Sequence, residues 1–428
     1  MNYREALDYV ESLNSLGIVP GLDSIKELCR RLGNPQDQLS FVHIAGTNGK
    51  GSALAYISTA LKCAGYRVGR YISPTIFDYR ERIQVSEKPI SRAALCEGME
   101  LIRDICDRMQ AEGFAHPTPF EVETALAFWY FVKKNCQIVV LECGMGGLQD
   151  ATNLIRNTIT AVITPISMDH TKFLGSTLGE IAAQKAGIFK EGCQAVVARQ
   201  QEAAMSAVEE AASRKHCSLV VADGGRATRV RYGIRRQRFD YDGLKNLEIS
   251  LAGKFQIDNA VLAVEAVRSL ARAGFPVKEE ALRQGLKEAS WPGRFSVVRD
   301  KPLFIVDGAH NEDAAQKLAE SIEFYFTNKR IIYIMGILKD KEYEKIISLT
   351  QGYADQIIAV TTPGNPRALP AYELAKEIAK VHPAVTVADS LEEAVEMSLL
   401  LAGKDDVIIA FGSLSYLGRL MEIVVRHS

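Results

Sequence analysis

The chain lacks the features that usually betray a membrane, a secretory route or a stapled scaffold. Its 8 cysteines stand at positions 29, 63, 96, 106, 136, 143, 193 and 217, and no pair is spaced Cys-x-x-Cys. That pattern excludes a zinc ribbon and a disulfide framework, and reads as reduced, mostly buried thiols. No apolar run reaches the ~18 residues of a membrane span. The longest candidates, Ile138–Leu141 and Val407–Phe411, are strand-sized. The opening segment MNYREALDYVESL has no apolar core of the signal-peptide kind and reads as an amphipathic helix. An excess of one charge is missing too: 51 Lys and Arg stand against 52 Asp and Glu, for a net charge of −1. A general nucleic-acid or membrane-surface binder is therefore not indicated. The expectation is a cytoplasmic protein with neither a membrane nor a nucleic acid as partner.

What is present is ordinary globular composition, 47% hydrophobic and 24% charged over 428 residues. At about 150 residues per domain this suggests two or three domains. Short β-rich runs alternate with helical patterns. Phe41–Ile44 is an apolar strand, Ser52–Ala64 a helix stopped by Gly65, and Arg67–Ile72 the next strand. Phe120–Lys133 reads as helix, Gln137–Glu142 and Thr160–Thr164 as strands, and Leu178–Gly187 as a short helix. This order predicts an α/β fold with a mostly parallel, doubly wound sheet. Arg226–Leu251 breaks the pattern: it alternates, carries a turn signal at Asp242-Gly243, and reads as antiparallel hairpins. Two helices follow, Gln256–Ala273 and Val277–Ala289. Trp291-Pro292-Gly293-Arg294 punctuates the chain. A second βα series then begins, with strands at Leu303–Asp307, Ile331–Gly336, Gln356–Thr361, Ala384–Ala388 and Asp406–Phe411, and reads as a smaller Rossmann-like domain.

The strongest local signal is HIAGTNGKGS, His43–Ser52. A strand enters, glycines turn sharply and a helix leaves. Such a turn lets backbone N–H groups approach phosphate oxygens, with the helix dipole behind them. Thr47, Asn48, Gly49, Lys50, Gly51 and Ser52 are the candidate phosphate-binding residues, with Lys50 reaching the β/γ-phosphates. The spacing is a variant of G-x-x-x-x-G-K-[ST]: Ile44 stands where the first glycine belongs, and Gly51 separates Lys50 from Ser52. Glu142 ends a buried strand, where ligands gather in open α/β sheets, and a carboxylate there suits Mg²⁺. A helix cap or an ion pair is the plainer explanation of that residue type.

These motifs resemble the folylpolyglutamate synthase and dihydrofolate synthase branch of the Mur ligase superfamily. GTNGKGS is similar to that family's nucleotide loop, and the match continues from Ile44 to Gly418 through separated motifs in the family's order. The resemblance implies an ATP-binding domain over residues 1–293 and a glutamate ligase domain over residues 294–428. It implies Mg²⁺ at two sites, held by Ser73, Glu142 and His170, the last within DHTKFLGSTLGEIAAQKAGIFK. Imidazole is an unusual partner for a hard cation, so His170 rests on the resemblance alone. The family's lysine matching Lys185 is commonly carbamylated, which a buried amine of lowered pKa would permit. Arg82 of Glu81-Arg82-Ile83, and Asp150 and Thr152 of DATN, are candidate substrate contacts. The plainer alternative for Arg82 is an ion pair with Glu81 or a neighbour.

Further matches place Asn259 (QIDNA), Arg294 (PGR) and Asp307 (VDGAHN) on the nucleotide, His310 near the incoming amino acid and phosphate, and Ser413 (GSLSYLG) on the incoming glutamate, with Ser415 an equal candidate. The family pattern is broken at Thr75, where it has His, and at Leu148, where it has Arg. The implied activity is ATP-dependent addition of L-glutamate to folate or dihydropteroate through an acyl phosphate, by a monomer, with Lys50, Lys185 and His310 closest to the chemistry. Two alternatives remain: a Mur-type ligase acting on another carboxylate, and a non-catalytic nucleotide-binding homologue. An arginine- and aromatic-rich stretch, Arg226–Phe239, could bind RNA or DNA, or be a solvated hairpin face.

Overall fold

The computed structural model describes residues 1–17, 19 and 21–427. The chain divides into two compact units. One comprises Met1–Thr75, Tyr79–Ala227 and Asp258–Ala289; the other comprises Ile76–Asp78, Thr228–Ile257 and Ser290–Ser428.

The first unit is built on an eight-stranded sheet. In chain order its strands are β1 (Phe41–Ala45), β2 (Val68–Tyr71), β3 (Ile83–Val85), β4 (Lys88–Pro89), β5 (Ile138–Glu142), β6 (Thr158–Ile163), β7 (Gln194–Ala198) and β8 (Ser218–Ala222). Their spatial order is β4-β3-β2-β5-β1-β6-β7-β8. Pairing is parallel from β2 to β8. Only β3 and β4 run antiparallel, as a small hairpin on one edge. β1 and β5 are buried along their whole length, as expected of central strands covered on both faces. The helix Lys50–Cys63 is buried at every position from Gly51 to Leu61. One of its neighbours is the helix Glu279–Glu288, which approaches so closely that a Cβ on Gly285 would lie 2.3 Å from the Cα of Ala60.

The second unit holds a six-stranded sheet and a three-stranded one. The smaller sheet is antiparallel, with β9 (Thr228–Arg231), β10 (Gln237–Tyr241) and β11 (Leu244–Ile249). It turns at Asp242-Gly243, both with positive φ. The larger sheet has β12 (Ser296–Asp300), β13 (Leu303–Val306), β14 (Ile331–Met335), β15 (Gln356–Ala359), β16 (Val385–Val387) and β17 (Val407–Phe411), in the order β12-β13-β17-β14-β15-β16. All its pairings are parallel except β12 with β13.

The α/β class and the two parallel series agree with the sequence reading. The strands that reading passed over are β3, β4, β7, β8 and β12, and it also passed over the helices Asp23–Arg31, Arg92–Ala111 and Glu202–Arg214. β4, β8 and β12 are edge strands with one side unpaired, and β3 and β7 are the strands next to an edge, all too short to give a strong periodic signal. The arginines of the smaller sheet are largely paired: Arg229 with Asp240, Arg236 and Arg238 with Glu248, and Arg235 with Asp300. That is a salt-bridged face rather than an array of unpaired cations. Among the described residues no helix is long and apolar enough to cross a membrane. The eight cysteines are all free.

Candidate active site

The site of the first unit lies at the carboxyl ends of β2, β5, β1 and β6. β1 delivers the chain into Gly46-Thr47-Asn48-Gly49, and the helix starting at Lys50 leaves it. Two glycines are required here. Gly46 has φ +148, and a Cβ on it would fall 1.8 Å from Thr164 Oγ1. Gly49 has φ +88, and its Cβ would fall 2.5 Å from Asn259 Oδ1. The second contact brings Asn259, distant in sequence, against the loop. Gly49 caps the helix without a side chain, which leaves its N-terminal N–H groups to the loop and to a ligand. The loop is braced by β6's continuation: Thr47 N–H donates to Pro165 O at 3.0 Å, and the Thr47 hydroxyl donates to Ser167 O at 3.1 Å. Gly51 and Ser52 are buried in the first turn.

Two lysines converge on one carbonyl. Lys50 Nζ donates to Gly46 O at 3.2 Å and to Thr47 O at 3.1 Å. Lys185 Nζ, from the helix Leu178–Ala186, donates to the same Gly46 O at 2.9 Å. Burial, reinforced by the charge of Lys50, pushes Lys185 down to about 7. An anion placed between two such cations relieves their repulsion.

Ser73 follows β2 and Glu142 ends β5. These strands are neighbours in register, Tyr71 opposite Leu141, so the two residues meet: Ser73 N–H donates to Glu142 Oε2 at 3.3 Å. His170, in the left-handed conformation at φ +51, heads the short helix Thr171–Leu174 and has its Nε2 4.0 Å from Asp169. Ser73 and His170 share the lining of a cavity of about 480 Å³ with Arg82, Phe120, Asp150 and Phe173.

Arg82 is anchored by the buried Glu123 at 3.2 Å rather than by Glu81, and lies over the Tyr79 ring. Burial lifts the Glu123 carboxyl above the usual range, opposed by Arg82. Asp150 is buried in the cavity wall. Its Oδ2 accepts from Met145 N–H at 2.8 Å, and its Oδ1 from Thr152 N–H at 3.0 Å and the Thr152 hydroxyl at 2.5 Å. Burial pushes this carboxyl up and those bonds pull it down. Behind Thr152 stands His43, which the sequence reading did not single out. Its Nε2 is 2.9 Å from Thr152 Oγ1 and 3.0 Å from Cys143 Sγ. A histidine inside the apolar run Phe41–Ala45 was the available signal. Leu148 keeps its backbone in the fold, N–H to Gln184 O at 2.8 Å, while its side chain is 47% exposed.

Arg294, Asp307, His310 and Ser413 belong to the second unit. Asp307 follows β13 and is buried, with Oδ2 accepting from Phe295 N–H and Oδ1 from Ala309 N–H, both at 2.8 Å. Arg294 packs on the same turn: a Cβ on Gly308 would lie 2.7 Å from its Nη1. His310 Nδ1 bonds Gly308 O at 2.7 Å. Ser413 caps the helix Leu414–Arg426, its Oγ accepting from Ser415 N–H at 3.3 Å and lying 2.7 Å from Ser415 Oγ.

Comparison with known proteins gives a consistent result. The Mur ligase middle domain family matches residues 44–267, and the Mur ligase glutamate ligase domain family matches residues 293–414. A dihydrofolate synthase/folylpolyglutamate synthase of Bacillus subtilis (strain 168) is 36% identical over 365 residues, covering 83% of this chain and 84% of the relative. A folylpolyglutamate synthase of Lacticaseibacillus casei is 35% identical, covering 97% of this chain and 96% of the relative. Among solved structures, Mycobacterium tuberculosis folylpolyglutamate synthase complexed with ADP superposes with a TM-score of 0.89 at 30% identity, over 99% of each chain. E. coli FolC in complex with DHPP and ADP does so with a TM-score of 0.86 at 30% identity, over 100% of this chain and 99% of that one. The chain belongs to the folylpolyglutamate synthase/dihydrofolate synthase family of the Mur ligase superfamily.

Proposed function

We propose that the chain is an ATP-dependent ligase that joins L-glutamate to a folate by an amide bond, as a tetrahydrofolylpolyglutamate synthase; dihydropteroate is the acceptor that a bifunctional form of the enzyme would take as well. The observation that carries this is the meeting of Lys50 and Lys185 on Gly46 O, just past the end of β1, the neighbour of β5, which ends at the Ser73–Glu142 pair. It is a cationic phosphate cradle with oxygen donors near it.

A carboxylate resists attack by an amine, because oxide is a poor leaving group. A substrate carboxylate oxygen attacks the γ-phosphorus of ATP, ADP departs, and an acyl phosphate forms. The glutamate amine attacks the acyl carbon, phosphate leaves with the C–O bond, and the amine gives up a proton. No protein nucleophile is required. Lys50 and the loop N–H groups hold the phosphates as charge moves onto the bridging oxygen. Asn259 and Arg294 serve the nucleotide, Arg82 the substrate's anionic end, and Asp150 its ring; Thr152, expected from the sequence as a substrate contact, is fully buried and braces Asp150 from behind. His310 and Ser413 serve the incoming glutamate.

Ser73, Glu142 and His170 would hold Mg²⁺, which when bound neutralises phosphate charge. The donor set fits. Magnesium prefers oxygen and keeps much of its shell as water and phosphate. Among the described residues no group of three or more His, Cys, Asp or Glu is brought together that could hold a metal ion by itself, so phosphate and water would have to complete the shell. Lys185 has the neutral fraction near pH 7 that addition to CO₂ needs, and its carbamate would place an anion beside Lys50.

Phosphate release with Mg-ATP and L-glutamate tests the reading, with tetrahydrofolate, dihydropteroate or neither added. Release with tetrahydrofolate alone is the result expected of a polyglutamylating enzyme, and release with both marks a bifunctional one. Silence in every tube, with ATP still bound, would overturn the proposal in favour of a non-catalytic homologue.

A further inference from the structure

Beneath the substrate cavity a buried chain of polar groups leads back from the substrate contact Asp150 to a residue with no role assigned so far. It runs from His43 on β1 to Thr152 and ends on Asp150, which lines the cavity. His43 has no solvent exposure and Asp150 is 7% exposed.

The directions of these bonds can be worked out from proton supply. The Thr152 hydroxyl has one hydrogen. At 2.5 Å from Asp150 Oδ1, a carboxylate that only accepts, that hydrogen is committed. The proton between Thr152 Oγ1 and His43 Nε2 must then come from the imidazole. His43 is therefore the Nε2–H tautomer. Its Nδ1 has no partner among the described residues, which agrees. An unpaired acceptor there is less costly than the unpaired N–H of the opposite tautomer. Cys143 Sγ, 3.0 Å from Nε2, accepts a share of the same N–H, and its own thiol hydrogen is left for the Thr152 hydroxyl at 3.4 Å. Burial keeps the ring neutral, with its pKa down at about 3.

Asp150 caps the turn Ala151–Leu154 and holds the Met145 N–H with its other oxygen. A carboxylate that turned about its side-chain bonds would lose both. We propose that His43 is a positioning residue: by fixing the Thr152 hydroxyl it locks the Asp150 carboxylate, so that its remaining lone pairs meet the ring N–H groups of the pteridine substrate. The inference rests on the folate reading above. It also joins two parts of the site, because the strand that carries His43 runs directly into the phosphate loop.

Two variants separate positioning from mere packing. His43→Leu keeps an apolar strand residue but removes the donor. His43→Gln can return an N–H near the place of Nε2. The expected result for His43→Leu is a KM for tetrahydrofolate raised about tenfold, with kcat and the KM for ATP within about twofold of the parent. His43→Gln should recover most of the loss. An unchanged folate KM in His43→Leu, or equal losses in both variants, overturns the assignment. Nitrogen-15 NMR of histidine-labelled protein reads the tautomer whether or not the enzyme turns over. A neutral Nε2–H ring across pH 5 to 8 is expected, and an Nδ1–H ring or an imidazolium contradicts it. Inactive parent protein with the Nε2–H ring present would overturn the functional reading while supporting the hydrogen-bond chain.

Discussion

The carboxyl ends of the two parallel sheets use their polar groups in opposite ways. In the first unit, Lys50 and Lys185 share a single carbonyl, and burial together with the charge of Lys50 makes the Lys185 ammonium easy to deprotonate. In the second unit, the corresponding groups are committed to their own backbone: both oxygens of Asp307, Nδ1 of His310 and Oγ of Ser413. In the first arrangement an anionic ligand would favour the charged form of Lys185. The second builds a rigid turn. Residues that look equally functional in a motif can thus differ in whether removal damages chemistry or the fold.

The sharpest way to break the contrast is Lys50→Met. Its ammonium touches only loop carbonyls, so kcat should fall about a thousandfold, with the thermal midpoint close to the parent's. A collapse of the fold instead would place Lys50 with the structural group. Lys185→Met should lower kcat by about a hundredfold, and it carries a pH signature. The folded protein holds Lys185 at about 7 against an unfolded value near 10.5. Between those values the unfolded chain binds more protons, so this residue makes stability rise with pH. The variant should lose that slope in urea titrations, and the parent's activity should fall as pH drops below about 7.

In the second unit the effect should move to stability. Asp307→Asn turns an N–H donor toward a backbone donor and should cost about 1–3 kcal/mol, read as a lower midpoint in denaturant. Ser413→Ala removes a helix cap, at about 1 kcal/mol, and should raise the glutamate KM. The smallest change is expected from Leu148→Arg. That side chain is exposed, so stability should stay within about 0.5 kcal/mol, and any change in folate KM would measure what the family's arginine adds there.

Local chemistry was readable in the sequence, and distant pairing was not. The loop from Gly46 to Ser52 could be read because strand, glycines and helix are contiguous. So could Glu142, which simply ends an apolar run. The partnership of His43 with Thr152 could not, because 109 residues separate them and only the parallel register of the sheet brings them together. Arg82 showed its charge, but its partner Glu123 lies on a helix whose pattern says only that it is buried. The grouping of Thr228–Ile257 with the later strands is likewise invisible to a boundary drawn at one point in the chain. His43 is hidden for a further reason: a neutral histidine within an apolar strand looks like packing until its neighbours are known.

The most direct test of the central claim is an isotope transfer. Folate carrying ¹⁸O in the reacting carboxylate is incubated with the enzyme, Mg-ATP and L-glutamate, and the released phosphate is weighed by mass spectrometry. Transfer of one ¹⁸O into phosphate is the predicted result, since the carboxylate oxygen leaves with phosphorus when the acyl phosphate is aminolysed. Unlabelled phosphate accompanying amide formation would contradict the account.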